Sequence, residues 1–236
     1  MLVAAALCPC PPLLVPAVAA GAAPELAALR AACLDATGVL AAARPDRLVV
    51  LGPADEAGRG PHPQGARGSF RGFGVDLEVR LGAAEAAPER ELPPSLSVGA
   101  WLLSRTDWAD APVDALGVAE SLPRDQALST GREIAASAPR VALLVMGDGS
   151  ACRTVKAPGY FDERAEAFDT ATARALGTAD LEALTALDEE RAAALQVSGR
   201  AGWQILEGAA EGADLRGRLL RDEAPYGVGY FVAAWS

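Results

Sequence analysis

Histidine is nearly absent from this chain: His62 is the only one in 236 residues. Lysine is equally scarce, with Lys156 as its sole instance among 21 basic residues. Chemistry that needs several imidazoles is therefore closed to it. Aromatic residues make up 5% of the chain, so its core has to be built from Ala, Leu and Val. No basic run occurs, and the formal net charge of −10 repels a phosphate backbone, which argues against a nucleic-acid partner. No apolar stretch of membrane-spanning length is free of proline or charge, so no membrane partner is expected. The four cysteines include no Cys-x-x-Cys pair, the spacing that marks structural zinc sites. Residues 1–23 lack the basic start of a signal peptide, and Leu7 precedes Cys8 where a lipoprotein needs a small residue. The expected compartment is the cytoplasm, where the cysteines stay thiols.

What is present reads as an alternation of strands and helices. Hydrophobic residues reach 51%, enough for a substantial core in one α/β domain spanning 1–236. Met1 to Leu7, Arg47 to Leu51 and Val141 to Met146 are short apolar runs, the pattern of buried strands. Val113 to Val118 is a fourth strand, and alternating Val75, Leu77 and Val79 predict a half-exposed one. Pro24 and Glu25 open a helix on which Leu26, Leu29, Cys33 and Leu40 share a face, with Cys33 in the core. Further helices are expected over 95–105, with Trp101 and Leu102 inward, and over 124–137, 161–176, 179–195 and 202–210. Residues 55–74 and 81–94, rich in Gly, Pro and Arg, read as loops. Residues 215–220 and 228–234 pair as closing strands. The expectation is a central, mostly parallel or mixed sheet flanked by helices, with ligands gathering beyond the carboxyl ends of its strands.

Five segments carry a resemblance. They are Cys8-Pro-Cys-Pro-Pro-Leu-Leu-Val-Pro16, Leu48-Val-Val-Leu-Gly-Pro-Ala54, Met146-Gly-Asp-Gly-Ser-Ala-Cys152, Ala157-Pro-Gly-Tyr-Phe-Asp162 and Ala224-Pro-Tyr-Gly-Val-Gly-Tyr230. Together they resemble the class III extradiol ring-cleaving dioxygenase superfamily, typified by the catalytic subunit of protocatechuate 4,5-dioxygenase, which also includes Memo-type proteins. The resemblance implies ferrous iron held by two histidines and a carboxylate, with a further histidine moving protons. The family's histidine positions fall on Cys10, Ala54 and Ala151. Its carboxylate comes from a late helix. The comparable segment here, Val197-Ser-Gly-Arg-Ala-Gly-Trp203, has no acid, and Glu207 and Glu223 are the nearest. The scaffold signals match and the ligand positions do not, so iron is not expected.

The candidate pocket residues are Cys10, Ala54, Asp55, Asp148, Ser150, Ala151 and Cys152. Cys8, Cys10 and Cys152 admit two readings, as a soft zinc or copper(I) site or as small buried thiols that pack; the second is preferred, because the Cys-x-Cys spacing is weak and a fourth ligand is not apparent. Asp148 admits lining the pocket or bracing its turn through its own backbone, and the brace is preferred because Gly-Asp-Gly is turn chemistry. His62, between prolines, reads as an exposed loop residue. Ser150 lacks the Gly-x-Ser-x-Gly elbow and a histidine base. The function that follows is a catalytically silent relative that keeps fold and pocket and binds a small molecule or a protein partner, without cofactor. The alternative is an enzyme with a cysteine-containing zinc- or copper-type site. A homo-oligomer is expected by analogy with the related enzymes.

Overall fold

The computed structural model describes residues 1–83 and 90–236. Its centre is a seven-stranded mixed sheet in the order β3-β6-β2-β7-β1-β9-β8. The four inner strands β6 (Val113–Val118), β2 (Arg47–Pro53), β7 (Val141–Met146) and β1 (Leu2–Cys8) run parallel. In β2, β7 and β1 most residues are buried because helices cover both faces, which is why their sequences are apolar without alternation, while β6 keeps Asp114 and Leu116 half-exposed. Around them β3 (Gly60–His62), β9 (Tyr230–Trp235) and β8 (Gly217–Glu223) run antiparallel to their neighbours. The expected closing pair is thus present as β8 and β9.

The pleat sends alternate side chains into two cores. Ala4, Ala6, Cys8, Val50 and Leu144 face the layer containing α1 (Pro16–Ala19), α2 (Ala27–Ala42) and α3 (Pro94–Arg105). Ala5, Leu7, Val49, Leu143 and Val145 face the other layer. That layer holds α4 (Arg124–Ala136), α5 (Ala165–Thr178), α6 (Leu181–Thr185), α7 (Glu189–Ala194) and α8 (Arg200–Ala210). On α2, Leu29, Cys33, Ala36 and Leu40 are buried at helical spacing. The helical stretch Pro16–Ala42 has the length and apolarity to cross a membrane, but this stripe packs on the sheet.

Several boundaries differ from expectation, each for a local reason. Pro24 does not open α2; it lies within a 3-10 turn, Ala20–Leu26, that precedes it. Residues 55–74 are not one loop, since β3 pairs with Ala115–Gly117 on the sheet edge and β4 (Arg67–Ser69) pairs with β5 (Glu78–Arg80). The strand over Val75 to Val79 shrinks to β5 because β4 offers only three residues to pair with. Of the expected loop 81–94, residues 84–89 lie outside the described residues. Helix α5 starts at Ala165 rather than Phe161, because Asp162 accepts the Arg164 amide at 2.9 Å and holds a turn. Residues 179–195 form two helices, not one. Ala179 closes α5 in the left-handed region at φ 52°, Asp180 caps α6, and Asp188 caps α7.

Candidate functional site

The loops after β1, β2 and β7 leave parallel strands at the same end of the sheet, so the three motif segments converge there. Short hydrogen bonds lock them. The Gly147 amide donates to the Cys8 carbonyl at 3.0 Å. The Cys10 amide donates to Asp148 Oδ1 at 2.8 Å, across 138 positions of sequence. The Ala54 amide donates to the Val118 carbonyl at 2.8 Å, and Ser95 Oγ, on the first turn of α3, donates to the Pro53 carbonyl at 2.6 Å. A cavity of about 630 Å³ opens beside the loops after β1 and β2, lined by Cys10, Ala54, Asp55, Arg59, Ser95 and Glu120 among others, with no residue of the loop after β7 in its wall. A second, of about 580 Å³, adjoins it; Glu120 and Ser121 line both.

Asp148 is the most perturbed acid in this region. Burial pushes its carboxyl up to about 7, the Cys10 N–H opposes the shift, and the Glu120 carboxylate adds to it. The same enclosure drives the Cys10 thiol well above its ordinary range, through burial first and then Asp148 and Glu120. Tyr230 on β9 is raised by burial first and then by Asp148 and Cys10. The residue expected to brace its own turn thus braces the first loop instead. Its backbone is tied separately: the Asp148 amide donates to Ser198 Oγ at 3.0 Å, and its carbonyl accepts from Gly199 at 3.0 Å. This contact requires glycine at 147, since a Cβ there would lie 2.4 Å from the Gly199 Cα. The acid-free 197–203 segment therefore serves the site through Ser198 and Gly199.

The structure does not gather all the candidates. Cys10, Ala54 and Asp55 line the first cavity, while Ala151 is not among its lining residues. The Ala151 amide is committed to the Leu195 carbonyl at 2.9 Å, and its own carbonyl accepts from Gly159. Asp55 is exposed and accepts the Gly58 amide at 2.9 Å, so it also stiffens the loop. Ser150 is fully buried; its Oγ donates to Asp169 Oδ2 at 2.7 Å, and Arg153 pairs with the same oxygen at 3.2 Å. Asp169 escaped the sequence reading, although it sits on the buried stripe of α5 with Ala165, Thr172, Ala173 and Leu176, a spacing that marks it as inward. Glu120, Ser198 and Tyr230 carry no comparable local signal.

The cysteines divide between the two cores. Cys8 and Cys33 pack together, with Cys8 Sγ 4.0 Å from the Cys33 carbonyl, and Cys10 belongs to the same layer. Cys152 lies in the opposite layer, 3.5 Å from the Gly159 and Leu195 carbonyls. Among the described residues no three His, Cys, Asp or Glu side chains gather as a metal site. The iron centre implied by the resemblance does not fit this donor set, because Ala54 and Ala151 present no donor atoms. His62 is not the exposed residue its flanking prolines suggest. It is 1% exposed, on β3, with Nε2 2.8 Å from the Gly58 carbonyl. Pairing of β3 with β6 turns its side chain inward, and burial lowers its pKa.

No protein-family model matches the chain, and no curated protein matches it. Among solved structures, the chain is similar to the crystal structure of an uncharacterized protein from Escherichia coli K12, with a TM-score of 0.52 at 15% identity over 99% of each chain. At that identity the likeness concerns the fold alone.

Proposed function

We propose that this protein is a catalytically silent relative of the class III extradiol dioxygenases that keeps the cleft at the strand ends and binds a small molecule there. The observation that carries this reading is the wall of the 630 Å³ cavity, where Cys10 and Ala54 occupy two of the three positions at which the resemblance expects histidines. The scaffold segments, the sheet order and the cleft at the carboxyl ends all support it. Asp55, Arg59, Ser95 and Glu120 supply the polar groups that orient a ligand against the apolar surface of Pro53, Ala54 and Pro94.

Thermal-shift screening of a small-molecule library against wild type and an Ala54→Trp variant tests it. Ala54 is half-buried on the cavity wall, so a bulky side chain there is placed to obstruct the cavity. A ligand at a hundredfold its Kd stabilises wild type by about 2.7 kcal/mol, or about 5–10 °C in Tm, and leaves Ala54→Trp unmoved. Equal shifts in both proteins, or none in either, would sink the assignment. Ferrous iron added with protocatechuate or catechol is expected to give no yellow ring-fission product; steady iron-dependent formation would show that the ring-cleaving chemistry survives.

A further inference from the structure

We propose that His62 and Arg90 form an acid-released clasp on the wall of the first cavity: a proton taken up by the His62 ring expels the Arg90 guanidinium and loosens residues 55–61. The clasp is a property of the loop after β2 and does not depend on what the cleft binds. That loop supplies Pro53, Ala54, Asp55 and Arg59 to the cavity wall. Its fixed point is Gly58. The Gly58 amide donates to Asp55 Oδ1 at 2.9 Å. The Gly58 carbonyl lies so close to β6 that a Cβ on Gly117 would come within 2.1 Å of its oxygen. The same carbonyl accepts from His62 Nε2 at 2.8 Å, so the neutral ring carries its proton on that nitrogen and leaves Nδ1 to take a second.

Arg90 closes the loop from outside. Its Nη1 donates to the Arg59 carbonyl at 2.8 Å, and its Nη2 to the Pro61 carbonyl at 2.6 Å. The same Nη2 stands 3.3 Å from His62 Nε2. With the ring bound to Gly58 both nitrogens carry hydrogen, so this is a close approach of two donors, tolerated while the ring is neutral. A second proton sets two cations at that separation. His62 is 1% exposed, and among the described residues no carboxylate offsets a charge there. Strand β6 places Ala115 opposite it, and Asp114 beside that residue is paired with Arg47 at 2.8 Å. Burial lowers the imidazole pKa and Arg90 lowers it further, against the Gly58 hydrogen bond, which raises it. Of the two contacts only one improves on protonation. The Gly58 carbonyl binds an imidazolium more strongly than an imidazole, whereas the guanidinium is repelled. Arg90 is exposed, so water replaces its two carbonyl partners when it leaves. Because the clasped state holds His62 below the ordinary value of 6.5, it is favoured above that value and lost as the pH falls through the depressed one.

As the only histidine in the chain, His62 gives a single set of imidazole resonances, and NMR titration of the full chain reads it directly. The midpoint is expected below 6.5 in wild type and higher in Arg90→Gln. Equal midpoints in the two proteins would overturn the clasp. Hydrogen exchange over residues 54–62, corrected for its intrinsic pH dependence, reads the release. Wild type should exchange severalfold faster at about pH 5 than at about pH 7.5, and Arg90→Gln should be fast at both. His62→Gln should be slow at both, since its amide donates to Gly58 without titrating. An acid response that persists in His62→Gln would assign the release to another group, such as Asp55, and sink the inference. Arg90→Gln as protected as wild type at about pH 7.5 would do the same. If His62→Gln fails to fold, the wild-type and Arg90→Gln measurements decide the matter, because Arg90 lies on the surface.

Discussion

Replacing Asp148 by Asn should stabilise the protein at alkaline pH and lose that benefit as the pH falls. Asparagine keeps the Oδ1 acceptor that receives the Cys10 amide at 2.8 Å and removes only the charge. The folded state holds the Asp148 proton up to about 7, against 3.8 for the ordinary side chain. Between those values the native protein binds more protons than the unfolded one, so the protonated form's advantage is complete below the lower value and vanishes as pH rises through the upper. A rise from 3.8 to about 7 corresponds to about 4 kcal/mol as an upper limit, at about 1.36 kcal/mol for each tenfold change in proton affinity. Asp148 is only partly buried, and solvent and local relaxation reduce this, so a gain of about 1–3 kcal/mol for Asp148→Asn is expected at about pH 8. For a chain of this length that is about 2–4 °C of Tm per kcal/mol. Urea and thermal melts of both proteins from about pH 4 to about pH 8 give the readout. The difference should shrink by more than half by about pH 5. A variant less stable than wild type at alkaline pH, or a gain independent of pH, would refute the account of Asp148 as a carboxyl whose desolvation outweighs the Cys10 hydrogen bond.

Asp169→Ala should cost about 3–5 kcal/mol, because it strands the Ser150 amide, the Ser150 hydroxyl and the Arg153 guanidinium around a buried oxygen pair; denaturant melts measure it, and a loss below about 1 kcal/mol would remove Asp169 as the anchor of the β7 loop. All four cysteines are buried as free thiols, so Ellman's reagent should label them slowly in native protein and all four at once in guanidinium; rapid native labelling of Cys10 would contradict its placement. A homo-oligomer is also proposed. Val155, Tyr160 and Phe161 stand 62%, 66% and 53% exposed on a loop in which Tyr160 adopts φ 63°, an apolar patch suited to a second copy. Light scattering should report more than a monomer at micromolar concentration, and Phe161→Asp should shift it towards monomer; a monomeric wild type would remove the proposal.

Strand positions were determined by the sequence alone where the chain is locally unambiguous. Val113–Val118 and Val141–Met146 coincide with their expected strands; Val141–Met146 is covered on both faces and needs nothing but bulk along its length, while Val113–Val118 keeps Asp114 and Leu116 half-exposed. The helices expected over 95–105 and 124–137 are likewise present, as Pro94–Arg105 and Arg124–Ala136. The convergence of the Cys8, Gly52 and Gly147 turns was also legible, because parallel strands place their carboxyl ends together. Tertiary structure decided everything that depends on a partner distant in sequence. His62 is buried because β3 finds β6, a pairing of three residues too short to show as a strand pattern. Asp148 became a cross-loop brace only when β1 and β7 lay side by side. Glu120 lines two cavities that meet beyond the end of β6, and the Ala151 amide is held by the Leu195 carbonyl, outside the wall of the first. Local backbone preference and hydrophobic period are written residue by residue; the field around a carboxylate is a sum over neighbours that only the folded chain assembles.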